Sequence, residues 1–203
     1  MPAAPVPGTE GYAVEAAELL RQYESIPFEA VHRAVLPLFP APPARVLDIG
    51  AGTGRDAAAF AALGHAVVAV EPVAALREAA RALHPSPRID WRDDSLPDLA
   101  GLGAESFDLV MLTAVWMHLD AGQRQAAMPR LARGLRPGGR LVLSLRHGPV
   151  PPGRRMFAVT AGETIALAEA AGLATLLRLD RRPGAQARPG IAWTRLAFAR
   201  PEG

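Results

Sequence analysis

A chain of 203 residues, half of them apolar and 21% charged, is long enough to bury the core of one domain. It contains no cysteine, which excludes disulfides, thiolate metal sites and cysteine-nucleophile chemistry, and its formal charge of +2 is carried entirely by arginine against aspartate and glutamate, a weak pull on nucleic acid. No apolar run reaches the length of a membrane span, and the opening MPAAPVPGTEG has neither the basic nor the apolar region of a secretion signal, so a cytoplasmic location is expected.

Residues 1–11, rich in proline, alanine and glycine, read as a disordered tail. From Tyr12 to Glu24, Ala13, Ala16, Leu20 and Tyr23 recur at helical spacing. A second helix starts near Pro27 with Phe28, Val31 and Val35 on one face, and the prolines from 37 to 43 end it. ARVLDI (44–49) is a short apolar run bounded by turn residues, the pattern of a strand buried on both faces. A glycine turn and an alanine-rich helix to Leu63 follow, then a strand at 66–70. Leu76, Ala79, Ala80 and Leu83 form the apolar face of the next helix. Strands are expected at 89–91 and 107–112. Asp120 and Gln123 make a capping-box pattern for a helix that Pro129 should kink or break. Pro137, Gly138 and Gly139 should turn into a strand at 140–145, and Thr160 with Glu163 caps a helix ending at Gly172. Two last strands, 173–179 and 192–199, flank an arginine-rich loop and are able to pair antiparallel.

Alternating strands and helices imply a doubly wound α/β fold with helices on both faces of a mostly parallel sheet. Ligands of such sheets bind at the carboxyl ends of the strands. Asp48, Glu71, Asp94, Thr113 and Arg146 all fall at such ends. The stretch VLDIGAGTGRD poses a problem, because glycine turns after a strand usually cradle phosphate and Asp48 would repel it.

VLDIGAGTG, AVVAVEP, RDDSLP, FDLVMLTAVWMHL and LRPGGRLVLSL follow one another in an order and spacing that resembles the class I S-adenosylmethionine-dependent methyltransferases. The resemblance covers residues 44–147. It implies a Rossmann-like sheet of seven strands with an antiparallel last strand, in a single domain from residue 12 to 203. Within it, 12–43 would form a helical lid, 44–147 the cofactor core, and 148–203 a substrate loop and closing strands. The implied cofactor carries a sulfonium and an ammonium but no phosphate, which resolves the problem of Asp48. Its product would be S-adenosylhomocysteine.

The resemblance assigns Asp48, Gly50, Ala51, Gly52 and Gly54 to the loop around the amino-acid end of the cofactor, with Arg55 and Asp56 directly after. Glu71 would accept from the ribose hydroxyls, with Pro72 beside the adenine. Asp94, or else its neighbour Asp93, would reach the adenine amino group, with Ser95 and Leu96 along the ring. Thr113 would offer its backbone to the methionine end. Tyr12 and Tyr23 either fold over that end as a lid or belong to the core.

Methyl transfer needs alignment and exclusion of water, and a base only where the acceptor is a hydroxyl or ammonium. His118 and His147 are the candidate bases, and His118 packed against a helix start is the alternative. Arg146, with Arg154 and Arg155, suggests a small anionic acceptor unless these are surface arginines; Trp116 is either a pocket wall or a buried anchor. No metal site, no membrane partner and a monomer or homodimer are expected. The absence of an Asn/Asp-Pro-Pro-aromatic tetrapeptide argues against DNA amino methylation. Transfer to RNA or protein remains an alternative, as does a cofactor-binding protein without turnover, or an RNA-binding module built on loop 178–188. An NAD(P) oxidoreductase fits poorly, because Gly54 comes one place early for its fingerprint.

Overall fold

Val46 and Asp48 point to one face of a sheet and Leu47 and Ile49 to the other, and each face meets its own core. The computed structural model describes residues 6–102, 106–181 and 190–202. Its strands are β1 (Arg45–Ile49), β2 (Ala66–Val70), β3 (Ile89–Arg92), β4 (Phe107–Leu112), β5 (Leu135–His147), β6 (Ala174–Arg181) and β7 (Ala192–Ala199). They form one seven-stranded sheet in the order β3-β2-β1-β4-β5-β7-β6. β1 to β5 run parallel, and β7 is inserted antiparallel between β5 and β6. The strand order reverses between β1 and β4, where a crevice is expected above the carboxyl ends.

Among the described residues the α-helices are α1 (Ala16–Glu24), α2 (Phe28–His32), α3 (Arg55–Ala62), α4 (Ala74–Leu83), α5 (Ala121–Gly134) and α6 (Ala161–Ala170). On the face of Leu47 and Ile49, α5 and α6 contribute Ala127, Met128, Leu131 and Ala168. The face of Val46 meets Ala57 and Phe60 of α3 and Phe28 of α2. Phe28 and Phe39 pack on Phe60 with centroids 5.1 and 5.2 Å apart. Burying one such ring contributes roughly 1.5–3 kcal/mol, which ties α2 to the glycine loop's helix. A separate small cluster of Ala16, Leu19, Val73 and Leu76 holds α1 against α4.

Several expectations change in detail. Of the expected tail, residues 1–5 lie outside the described residues, whereas 6–11 form turns tied by Thr9 N–H to the Val6 carbonyl and Gly8 N–H to Glu10. The first helix begins at Ala16, after a turn, so Leu19 is buried in place of Leu20 and Ala13 is exposed. Leu83 ends its helix half exposed. α5 runs unbroken through Pro129; Gln125, whose carbonyl loses its partner there, is exposed. The Pro-Gly-Gly turn is an irregularity within β5, where Gly138 donates to the Arg200 carbonyl. Asp120 and Gln123 form the expected reciprocal cap. At Thr160 only half of that pattern forms, because the Glu163 carboxylate instead takes Arg124 at 2.7 Å.

Candidate functional site

The loop after β1 is bent by three left-handed glycines, Gly50, Gly52 and Gly54. Gly50 and Ala51 donate to the Val70 carbonyl, which pins the loop to the end of β2. A Cβ on Gly50 would strike Val115 at 2.5 Å, and one on Gly54 would meet Trp91 at 2.8 Å. Around Gly52 a Cβ would find nothing nearer than 3.9 Å, since that position faces open space.

Two acids flank this loop. Glu71, 5% exposed, accepts from Gly52 N–H through Oε2 and from Val73 N–H through Oε1, each at 2.8 Å. One lone pair on each oxygen remains for a ligand. Burial raises the Glu71 carboxyl above its usual range, against the pull of those two hydrogen bonds. Asp48 is 1% exposed and accepts from the backbone of Ala57, but its Oδ2 has no partner. Burial and then the nearby Asp56 push the Asp48 carboxyl well up.

Beneath the loop, Asp56 joins three elements. Its Oδ2 takes His32 Nε2 of α2 at 2.7 Å and the Thr113 hydroxyl at 3.0 Å, while Oδ1 takes Arg55 Nε at 2.8 Å. Burial alone would raise this carboxyl; the hydrogen bonds and charges of His32 and Arg55 outweigh it and bring it to about 2. His32, fully buried, was not among the sequence candidates. Only its position four residues after Phe28, on the same helical face, could have drawn attention to it. Arg55 also reaches the Tyr23 carbonyl, and Thr53 donates to Glu24 at 2.6 Å, so α1 closes directly on the loop.

At the far end, Asp94 faces the cavity and Asp93 does not: Asp93 pairs with Arg77 at 2.9 Å on the surface. Asp94 accepts from the backbone of Ser95, Ala100 and Gly101 and so shapes the loop that presents Ser95 and Leu96 opposite Pro72.

The other wall follows β4. Ala114 is left-handed, with φ of 62°, and its N–H is held by Ser144 Oγ at 2.9 Å. Such strain in a non-glycine residue costs roughly 1–2 kcal/mol. It turns the chain so that Thr113, Val115, Met117 and His118 all reach the cavity, whereas Trp116 is fully buried and its reading as a pocket wall is corrected. His118 is 8% exposed. Its Nδ1 lies 2.7 Å from the Arg155 carbonyl and its Nε2 lies 3.0 Å from the Tyr12 hydroxyl. Burial lowers the affinity of His118 for a proton.

Arg146 lines the cavity and His147 does not. Successive strand residues point to opposite faces, and His147 instead meets Thr194 at 2.9 Å. The arginine pair also separates. Arg154 stands in the cavity wall, bonded to Glu15 at 2.6 Å and stacked 4.0 Å over Tyr12; Arg155 turns away over Phe157 and toward Asp120. Tyr12 and Tyr23 both line the cavity and pack on the cluster that holds α1. Most of the arginine-rich loop, 182–189, lies outside the described residues. Among the described residues no group of three His, Asp or Glu is placed to hold a metal ion, and no helix is long and apolar enough to cross a membrane.

These walls enclose about 1070 Å³, the upper end of the roughly 300–1000 Å³ usual for small-molecule sites and room for two ligands side by side. Residues 47–143 match the family model described as a methyltransferase domain. An uncharacterized methyltransferase of Mycobacterium tuberculosis is 37% identical over 134 residues, 66% of this chain and 50% of its own length. The ubiquinone biosynthesis O-methyltransferase of Xanthomonas oryzae is 36% identical over 125 residues, 61% of this chain and 51% of its own. This chain thus spans about half the length of the curated relatives it matches. The Burkholderia thailandensis 1,6-didemethyltoxoflavin-N1-methyltransferase, crystallised with 1,6-didemethyltoxoflavin and S-adenosylhomocysteine, is 26% identical. The likeness covers 98% of this chain and 91% of that one, with a TM-score of 0.69.

The residues present fit S-adenosylmethionine. Asp48 offers an unpartnered buried carboxylate oxygen suited to an ammonium, Glu71 keeps two lone pairs for vicinal hydroxyls, and the open face at Gly52 admits close backbone approach. A dinucleotide would bring its pyrophosphate against the Asp48 carboxylate. With its seven-stranded sheet, an acidic cradle of this chemistry and a methyltransferase domain matched over residues 47–143, the chain has the fold of the class I S-adenosylmethionine-dependent methyltransferases.

Proposed function

We propose that this chain transfers a methyl group to a small acceptor by in-line displacement and releases S-adenosylhomocysteine. The observation that carries the reading is one cavity of about 1070 Å³ that runs from the acidic glycine loop to Tyr12, His118 and Arg146. Asp48 and Arg55 would hold the ammonium and carboxylate of the methionine end, with Thr113 beside them. Glu71 would hold the ribose, and Asp94, Ser95, Leu96 and Pro72 the adenine. Bound there, S-adenosylmethionine supplies a methyl group already activated on a sulfonium.

The protein's own part is then alignment and exclusion of water. Val6 to Thr9 and α1 wall the mouth of the cavity, which favours a small acceptor over RNA or protein. The small-molecule activities of the Xanthomonas and Burkholderia relatives support that choice. Arg146, which lines the cavity and also donates to the Pro149 carbonyl at 2.9 Å, would meet an acidic group on the acceptor, whereas Arg155 lies outside the cavity.

Screening acceptors for release of S-adenosylhomocysteine tests the activity, and calorimetry tests the site. Glu71→Ala and Asp48→Ala should each weaken S-adenosylhomocysteine binding by at least about 1 kcal/mol, because each removes a charged acceptor. Unchanged affinity in both variants overturns the site, and a purified chain that binds no S-adenosylhomocysteine overturns the function.

A further inference from the structure

The catalytic candidate His118 has no ring nitrogen left for an acceptor. Its Nδ1 faces the Arg155 carbonyl, which only accepts, so Nδ1 carries the proton and Nε2 carries a lone pair. Among the described residues the partner of that lone pair is the Tyr12 hydroxyl at 3.0 Å, which must therefore donate to it. This fixes the direction of the whole pair. The Tyr12 oxygen, its proton directed at His118, accepts from Arg154 and keeps a second lone pair for a further donor, and both side chains border the cavity.

We propose that Tyr12, carried in by the N-terminal segment, is the residue that touches the acceptor, and that it relays a proton from an acceptor hydroxyl to Nε2 of His118. This rests on the methyl-transfer reading and narrows it: the methylated atom is the oxygen of an un-ionised hydroxyl. A thiolate or carboxylate would need no relay. In the step, the acceptor's O–H bond breaks as its new O–C bond forms, and the S–C electron pair stays with the departing thioether. The acceptor proton goes to the Tyr12 oxygen while the Tyr12 proton goes to Nε2. His118 leaves the step as an imidazolium, its Nδ1–H still held by the Arg155 carbonyl, and loses the added proton to solvent when the lid opens.

The surroundings suit that transfer. Arg154 lies 4.0 Å over the Tyr12 ring, where its charge favours electron density on the phenol oxygen. Burial, with Tyr23 and Glu71 nearby, raises Tyr12, so a resting phenolate is disfavoured and the proton passes straight through. Burial keeps His118 neutral and ready to accept; Arg154 and Arg146 act in the same direction, while the Arg155 carbonyl and Glu10 oppose them. Glu15 partly neutralises Arg154 at 2.6 Å. His118 acts only through Tyr12 and is thus a positioning residue and proton terminus.

The test uses the intact chain with catechol and 4-hydroxybenzoate as hydroxyl probes and 4-mercaptobenzoate as a thiolate. Tyr12→Phe keeps the ring under Arg154 and should cost thiolate methylation far less than hydroxyl methylation. Methylation of a hydroxyl probe should fall ~10²–10⁴-fold in kcat with KM little altered. His118→Gln should remove the acid limb of the hydroxyl pH profile, a limb lying below the ordinary histidine range. Independently of turnover, nitrogen NMR of the imidazole should find His118 protonated on Nδ1 alone, with the Nε2 signal moving in Tyr12→Phe. A proton on Nε2 in the wild type overturns the relay, as does an equal loss of thiolate and hydroxyl transfer, or transfer to the thiolate and to neither hydroxyl. Loss of S-adenosylhomocysteine binding in the wild type would instead defeat the underlying methyl-transfer reading.

Discussion

The two ends of the cavity are built differently. Its acidic end is assembled from the ends of adjacent strands: Gly50 and Ala51 bond to Val70, Gly52 bonds to Glu71, and Asp48 sits beside Ala69 and Met111 in register. Its other end depends on side chains far apart in the chain, Tyr12 with His118 across 106 residues and Arg154 with Glu15 across 139. Sheet register and backbone bonds hold the first in place. The second exists only while the N-terminal segment lies over the cavity. In the proposed reading the cofactor takes the fixed end, and the acceptor the end that the N-terminal segment and the loop after β5 define.

The severest way to break this division is to remove the residue that spans it. Asp56→Ala takes the carboxylate from His32 Nε2, Arg55 and Thr113 together. Breaking a buried charged pair by removing one member destabilises by roughly 3–5 kcal/mol, so thermal unfolding should show a loss of at least about 3 kcal/mol. The sign with pH follows. The Asp56 carboxyl is depressed from 3.8 to about 2 in the folded chain, so its stabilisation is complete above pH 3.8 and is lost as pH falls toward 2. Wild type should lose stability in that interval, and Asp56→Ala should lose less. Equal acid sensitivity in the two would deny Asp56 its linking role.

A smaller change sharpens the contrast from within the fixed end. Gly52→Ala places a methyl group in open cavity space, with φ at 58°. The strain of a left-handed alanine costs roughly 1–2 kcal/mol, while the methyl group occupies volume the cofactor requires. Stability should fall by about 1 kcal/mol and S-adenosylhomocysteine affinity by ~10-fold or more. Retained affinity would mean that the cofactor does not approach this loop.

The contrast also explains how much could be read from the residues alone. Every strand was legible within a few residues, because apolar runs bounded by glycine and proline leave little choice of local structure. The acidic end was legible for the same reason: Asp48, the glycines and Glu71 lie next to strand ends, so locating the strands located them. Asp94 was separable from Asp93 only in three dimensions, where Arg77 claims Asp93. His32 was invisible because its meaning comes from Asp56, 24 residues away. Ala114 looked ordinary, its left-handed conformation being imposed by Ser144 on a neighbouring strand. The three arginines grouped by sequence part company once Glu15 and Asp120 take two of them.

The mildest test sits on two neighbouring residues of β5. Arg146 faces the cavity and His147 the opposite side of the sheet, so one position reads the acceptor end and the next serves as its control. Arg146→Ala should raise KM for an acidic acceptor such as 4-hydroxybenzoate ~10-fold, the loss of about 1.4 kcal/mol, with kcat and S-adenosylhomocysteine affinity little changed. His147→Ala should change KM and kcat far less than Arg146→Ala does, because the His147 ring meets Thr194 at 2.9 Å and does not line the cavity. The reverse order of effects would place the acceptor on the other face of β5, and would return His147 to the catalytic role that its side-chain direction denies it.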